Sequence, residues 1–556
     1  MRITGRSTRV GIAAVCLALV AAACGGSDDD EGAGGQTGQT GGQTGGTVKT
    51  GGVFRIPIGE PAAIDPYNAR ESEGSNVTVR LFTGLVTYDG NAELKMRPGV
   101  AESWQANTDC TEWTFKLRRG SKFHNGEEVD ANSFVRGWTR ASIGTAASQV
   151  AYHLQQIEGY EALHATPPTA QTFTGLSVPD PYTLVAKLNA GDCEFDKQLV
   201  HPVASPVPSN AGDTRNTTFN EAPVGNGPFM MKPGTKWEHN QRISLVRNDN
   251  YFGKKPNIDG IEFVIFPAQG RLEAEYRAFT AGEVDFARIP PTLFKQAEGT
   301  YKPQGSFIKS EQPGINYLLI NHAKPPFNNA DARKAVSMAI DREAINQGVY
   351  QGSLTSATAF ITPPFGAFHT PGICGDWCKF DVNKAKEAAQ RGGLTPGTRI
   401  KLAYNNDGGH EPLVQAWKDQ LEKNLGLVVE LDGVPFAEHL QKRDRGDFDI
   451  SRAAWSTDYP SADGFTTPLL GSTSEDNDGK YSNPEVDRLL KLSKTQKSDA
   501  DREKTIEEIE RIAIGRDLAL APTYYRTAYR VFDSNKWTGV GLDFFERPTL
   551  ETASLK

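Results

Sequence analysis

Between residues 399 and 458 the chain alternates short apolar runs with amphipathic stretches so regularly that few architectures can hold it. Ile400-Lys-Leu402-Ala-Tyr404 alternates as a strand and Asn405 to Gly409 is loop-forming; His410 then opens a helix with Leu413, Val414, Trp417, Leu421 and Leu425 on one side. A second strand, 427 to 431, a second helix, Phe436 to Lys442, and a third strand, 448 to 454, complete the segment. Strand, helix, strand, helix, strand is a βαβαβ unit, which predicts an α/β lobe. Open α/β sheets bind ligands beyond the carboxyl ends of their strands, often with an anion at a helix N-terminus. Both His410 and the segment after Phe448 fall at such ends.

That segment reads Arg452-Ala-Ala-Trp455-Ser-Thr-Asp458-Tyr-Pro, a cation, a large aromatic and a carboxylate at three-residue intervals. Six extended residues span roughly 20 Å, so Arg452 and Asp458 pair only if the chain doubles back. They are therefore expected as separate poles of a site for a small molecule charged at both ends, with Trp455 as a platform or a core residue. The helix dipole disfavours a cation at His410, which points to a neutral imidazole. For Arg452 the alternative is an ordinary surface ion pair, which contributes little.

A chain of 556 residues is too long for one core and suggests two or three domains. Its net charge of −8, with no basic block, excludes nucleic acid as an expected partner. Arg2, Arg6 and Arg9 precede the apolar run Val10 to Ala23, with no acidic residue before Asp28. This reads as a signal peptide over residues 1–23. Ala21-Ala22-Ala23 lead into Cys24 as in a bacterial lipobox, so Cys24 is expected to be acylated. Residues 24–50 are Gly, Gln and Thr-rich and predict a flexible tether. Loss of the leader's three arginines takes the charge to −11. Nothing later is apolar for long enough to span a bilayer, which leaves the lipid as the expected anchor.

Beyond Cys24 the exported chain keeps Cys110, Cys193, Cys374 and Cys378. An even number favours disulfides with three possible connectivities, of which Cys374 with Cys378 and Cys110 with Cys193 is preferred. A metal site at CxxxC is the alternative, but no His lies near it. Elsewhere Trp113-Thr-Phe115-Lys-Leu117 alternates as a strand, and Asp130 caps a helix bearing Phe134, Val135 and Trp138. Ala332, Ala335, Val336, Ala339 and Ile340 follow helical spacing. HExxH, GxSxG, Walker A and strand-borne GxGxxG motifs are absent, so neither an enzyme, a cofactor nor a metal is expected.

Several landmarks in order resemble the solute-binding lipoproteins of oligopeptide and dipeptide ABC importers, family 5 of the extracellular solute-binding proteins. They are Pro98-Gly-Val-Ala-Glu-Ser-Trp104, Trp113 to Gly120 with Lys122-Phe-His-Asn-Gly126, Leu199-Val-His-Pro202, and Ser205-Pro-Val-Pro208. Gly225-Asn-Gly-Pro-Phe229, Lys324-Pro-Pro-Phe-Asn328, Ala339-Ile-Asp-Arg342 and Trp455 to Pro460 follow. The resemblance implies a periplasmic-binding-protein type II α/β fold, two lobes around a cleft with an inserted domain. Lobe I would comprise 51–95, 222–309 and 521–556, the insert 96–221 and lobe II 310–520. It implies a peptide ligand, ABC permease partners, a lipid-anchored monomer on the outer face of the membrane, and no catalysis. By position Asp458 would take the ligand's ammonium group, and Arg452 and His410 its carboxylate. Trp455 and Phe436 would line the cleft. The family's carboxylate-binding lysine has no counterpart near Gln347 to Tyr350, and Ser456 stands where a bridging Cys would.

Overall fold

The computed structural model describes residues 49–88, 95–214 and 216–556; the leader, Cys24 and all but the last two residues of the tether lie outside them. Three apolar cores organise this part of the chain. One gathers residues between Leu85 and Ala204, a second joins Phe54 to Phe263 with Phe532 to Ala553, and the largest runs from Ile315 to Tyr525. Each core lies against its own sheet.

In the first, Glu112–Leu117 buries Trp113, Phe115 and Leu117 by strand alternation. It sits within a four-stranded antiparallel sheet with Ala101–Ala106, Thr183–Lys187 and Leu176–Asp180. Helix Ala131–Ser142 covers that sheet, its N-terminus closed by an Asp130–Ser133 capping box. The second core is built on Val53–Ile58, paired in parallel with Gly260–Ile265, and on Arg242–Arg247 and Phe229–Met231.

The large sheet has seven strands. Its five main strands are β1 (Phe307–Ile320), β2 (Arg399–Asn405), β3 (Val428–Val434), β4 (Ile450–Ser456) and β5 (Leu520–Phe532). The order across it is Phe286–Arg288, β5, β1, β4, β2, β3, with Thr355–Ser356 also on β5. Strands β3, β2 and β4 run parallel, joined by helices α1 (Glu411–Leu425) and α2 (Phe436–Asp444), which makes the βαβαβ unit; β1 is antiparallel to β4 and turns the sheet mixed. All five apolar residues read on one side of α1 are buried, each contributing about 1.5–3 kcal/mol. Gly426 ends α1 at φ 69°, a conformation other residues adopt at a cost. Helix Ala330–Met338 stops one residue short of Ala339, which caps it.

Strands β1 and β5 run through two of these cores. Their ladder pairs Phe307–Glu311 with Thr527–Val531, breaks, and resumes at Ile315 opposite Tyr525. In the break Gln312, Pro313 and Gly314 face Arg526 alone. Two disulfides are formed, Cys110–Cys193 with Cα atoms 5.1 Å apart and Cys374–Cys378 with Cα atoms 5.7 Å apart. Among the described residues no helix is long and apolar enough to cross a membrane, and no cluster of His, Cys, Asp or Glu is arranged to hold a metal.

Candidate ligand-binding cleft

Strand β4 decides which side chains share a wall. Alternation places Arg452, Ala454 and Ser456 on one face and Ser451, Ala453 and Trp455 on the other. Arg452 is thus a mid-strand residue opposite Leu318, since the strand runs two residues further than its sequence suggests. Trp455 points the other way. It packs on the large core and its indole N–H donates to the Gly464 carbonyl at 2.7 Å, folding the segment 455–464 into a closed turn. Asp458 stands exposed on that turn.

A cavity of about 530 Å³ opens beside Asp458. Its walls come from the second core at Ile56–Ile58, from β1 and β5 at Gln312, Arg526 and Arg530, and from Ser456 to Asp458. Six arginines line it, and carboxylates among the described residues engage all of them but Arg70; Arg547 meets Asp543 at 2.8 Å. Arg526 and Arg530 share Glu546 at 3.0 and 2.8 Å, Arg288 meets Glu275 at 2.9 Å, and Arg271 meets Glu73 at 2.6 Å. Asp458 takes none of them. Among the described residues its one partner is the hydroxyl of Tyr152, which donates to it at 3.0 Å from the sheet-bearing body of residues 85–204. Burial, then the Asp458 charge, pushes the Tyr152 phenol far above its ordinary range, so it stays a donor.

The opposite pole collects positive charge. Arg452 donates to Asn316 Oδ1 at 3.1 Å and has no carboxylate partner among the described residues, while its Nε is buried without any acceptor. Burial, chiefly, pulls its pKa down to about 10; Arg526 and Arg443 add to the effect. His410 is the residue before α1, and its side chain caps nothing. Burial and then Arg452 hold its pKa at about 4, so the imidazole is neutral, as the helix dipole implies. His439 is likewise held at about 4 by burial and then by Arg443. Arg443 pairs with Asp478 at 2.7 Å, yet its Nε, His439 Nδ1 and the Tyr317 hydroxyl are all buried without partners. Orphaned buried polar atoms carry a cost of about 1–3 kcal/mol each, and three of these belong to donors or potential donors around one cation-rich spot. Such a group has the chemistry to receive an anion.

Phe436 begins α2 with half its surface exposed, its backbone N–H fixed to Asp407 Oδ2 at 3.0 Å. Of the five candidate residues only Asp458 lines the 530 Å³ cavity; Arg452 and His410 meet at the far pole and Trp455 braces the turn from behind. Sequence reasoning missed Tyr152, His439 and Arg443. The last two sit four residues apart on α2, a same-face spacing that could have been found. Tyr152 is 306 residues from Asp458 and left no local signal.

Residues 95–477 match the model of the bacterial extracellular solute-binding proteins, family 5 Middle. The chain is 30% identical to the oligopeptide-binding protein OppA of Bacillus subtilis over 488 residues, covering 86% of this chain and 88% of that one. In fold it is similar to the periplasmic murein tripeptide-binding protein MppA in its unliganded open form, with a TM-score of 0.77 at 25% identity over 91% of this chain and 97% of that one. Similarity to Haemophilus influenzae OppA in complex with the peptide RPPGFSPFR gives a TM-score of 0.71 at 25% identity, over 91% and 100%. Two charged poles on a two-lobed α/β frame, with a family match over most of the chain, place this protein among the family 5 bacterial extracellular solute-binding proteins.

Proposed function

We propose that the protein captures oligopeptides outside the cytoplasm and delivers them to the permease of an ABC transporter. The observation that supports this reading is the pair of unmatched poles: among the described residues a carboxylate is met only by a hydroxyl, and a half-buried guanidinium only by an amide. A peptide supplies the missing partner at each. Its ammonium group is taken by Asp458 with Tyr152 alongside, and its carboxylate by Arg452 with His410, which is neutral until the carboxylate arrives. Phe436 offers an apolar face to a side chain, and Trp455 holds the Asp458 turn. Closure of the two lobes lowers the dielectric around both pairs and strengthens them. The closed form is the shape a permease recognises, so occupancy is coupled to docking. Contacts to termini and backbone, with water filling loose side-chain pockets, make binding tolerant of sequence. The names of the relatives, oligopeptide-binding and murein tripeptide-binding, support this ligand class.

In this reading residues 51–95, 222–309 and 521–556 form lobe I, 96–221 an insert and 310–520 lobe II. The chain works as a monomer, held on the outer face of the membrane by acylated Cys24, and performs no catalysis. Calorimetry with tri-, tetra- and penta-alanine tests it. Asp458→Ala should weaken the best of the three by about 10- to 150-fold, the value of a charge-assisted hydrogen bond of about 1.5–3 kcal/mol. Absence of peptide binding by the unaltered protein, or an Asp458→Ala affinity equal to it, refutes the proposal.

A further inference from the structure

The Asp458 turn is gripped from behind by the body of residues 85–204. Cys193 is bonded to Cys110, and the backbone N–H of Asp192 donates to the Cys110 carbonyl at 3.0 Å. A side chain at Gly191 would come within 2.3 Å of the Asp109 carbonyl, so the loop 191–194 is pressed onto the Cys110 strand end. From there it reaches the large-core body. The Cys193 N–H donates to the Lys494 carbonyl at 2.7 Å, and Glu194 accepts from the Ser461 hydroxyl at 2.8 Å. Ser461 lies three residues after Asp458, and its Oγ also accepts from the Asp463 N–H at 3.1 Å.

Glu194 is only 3% exposed and does not line the cavity. It meets Lys197 at 2.5 Å and Arg502 at 3.4 Å, which satisfies an anion that burial alone would not permit. A buried, doubly paired carboxylate is a rigid mount. A subsite that works within about 0.5 Å needs such a support behind it, and the Asp458 turn has one at Ser461 in addition to the Tyr152 hydroxyl.

Building on the assignment of Asp458 to the ligand ammonium, we propose that Glu194 is a positioning residue for that carboxylate. The disulfide-tied loop presents it, so that this loop sets affinity at the ammonium pole without itself touching the ligand. Tetra-alanine affinity, read by calorimetry in a double-mutant cycle, tests this. Glu194→Gln and Ser461→Ala should each weaken binding about tenfold in the unaltered protein and less than about twofold when Asp458 is already Ala. Ser461→Ala keeps every ion pair and deletes one hydroxyl, so it carries the test if Glu194→Gln does not fold. Equal losses in both backgrounds mean a merely structural role and overturn the inference, as does no loss in the unaltered protein. If Asp458→Ala alone costs nothing, the ammonium assignment falls and takes this inference with it; a cost at Asp458 with additive effects sinks only the inference.

Discussion

Replacing Arg452 by Met should move stability and affinity in opposite directions. In the empty protein the guanidinium sits in mid-β4 with one acceptor among the described residues, and burial holds its pKa at about 10, well below the ordinary guanidinium range. At 1.36 kcal/mol per pKa unit that is a cost of about 3 kcal/mol to the folded state. A base with a depressed folded pKa binds fewer protons folded than unfolded, so the cost is borne in full below pH 10 and fades only as pH rises into the ordinary guanidinium range. Losing the bond to Asn316 returns about 1 kcal/mol of it. Methionine fills similar space with an apolar stem, so Arg452→Met should stabilise the empty protein by about 2 kcal/mol and raise its melting temperature by a few degrees. The complex should lose the charge-assisted bond to the ligand carboxylate, about 1.5–3 kcal/mol, or roughly 10- to 150-fold in Kd for tetra-alanine. Scanning calorimetry and titration calorimetry on the same preparation read both. A variant that melts lower while keeping its affinity would show that Arg452 is a structural cation, and the argument from its missing carboxylate would be wrong.

His410 faces Arg452, Asp407 and His439 and is neutral well below pH 6, whereas a bound carboxylate restores its affinity for a proton. Peptide binding at pH 5.5 should therefore take up protons, seen as a binding enthalpy that varies with buffer ionisation enthalpy; no variation would remove His410 from the carboxylate pole. Glu510 is fully buried, accepts from the N–H groups of Phe360 and Ile361 at 2.7 and 2.8 Å, and is pushed up to about 8 by burial. An acid with a raised folded pKa holds its proton when folded, so its contribution is whole below pH 4.5 and is lost as pH climbs to 8. Glu510→Gln keeps one acceptor for both N–H groups and should flatten the fall in melting temperature between pH 5 and 8; an unchanged slope counts against this. Chain entropy puts Cys110–Cys193, 83 residues apart, at about 4–5 kcal/mol and Cys374–Cys378, 4 apart, at about 2. Urea midpoints of the two paired Cys→Ser variants should fall in that order, and the reverse order would contradict the entropic account.

How much of this could be read from the chain alone depended on range. The α1 face and the Glu112–Leu117 strand follow from period, because burial along one element is a local property. The poles are legible because charges at the strand ends of an α/β unit lie where such sheets bind ligands, and their separate roles come from the family resemblance. Which face each occupied was less legible. Ending β4 at Ala454 leaves Trp455 free to look into the cleft, whereas pairing with β1 through Ser456 locks it to the core side. That pairing joins residues about 140 apart, and nothing local encodes it. Tyr152 and Glu194 were invisible for the same reason, since each acts across more than 260 residues on a turn it does not border in sequence.

The gap in the β1–β5 ladder bears on how such a molecule would move. Proline 313 brings no N–H to that gap, and its carbonyl is turned instead to the Thr457 N–H at 3.3 Å, next to Asp458. A swivel of the two strands there would leave the paired amides on either side intact, so shutting the cleft would demand torsion at three residues and no melting of sheet. Exchange of amide hydrogens should then be quick at Gln312, which neither neighbouring strand pairs, and slow at Ile308 and Leu318, a pliant joint set between two stiff plates. The same joint carries Thr457, so every degree of swing is delivered to the carboxylate that greets the ligand.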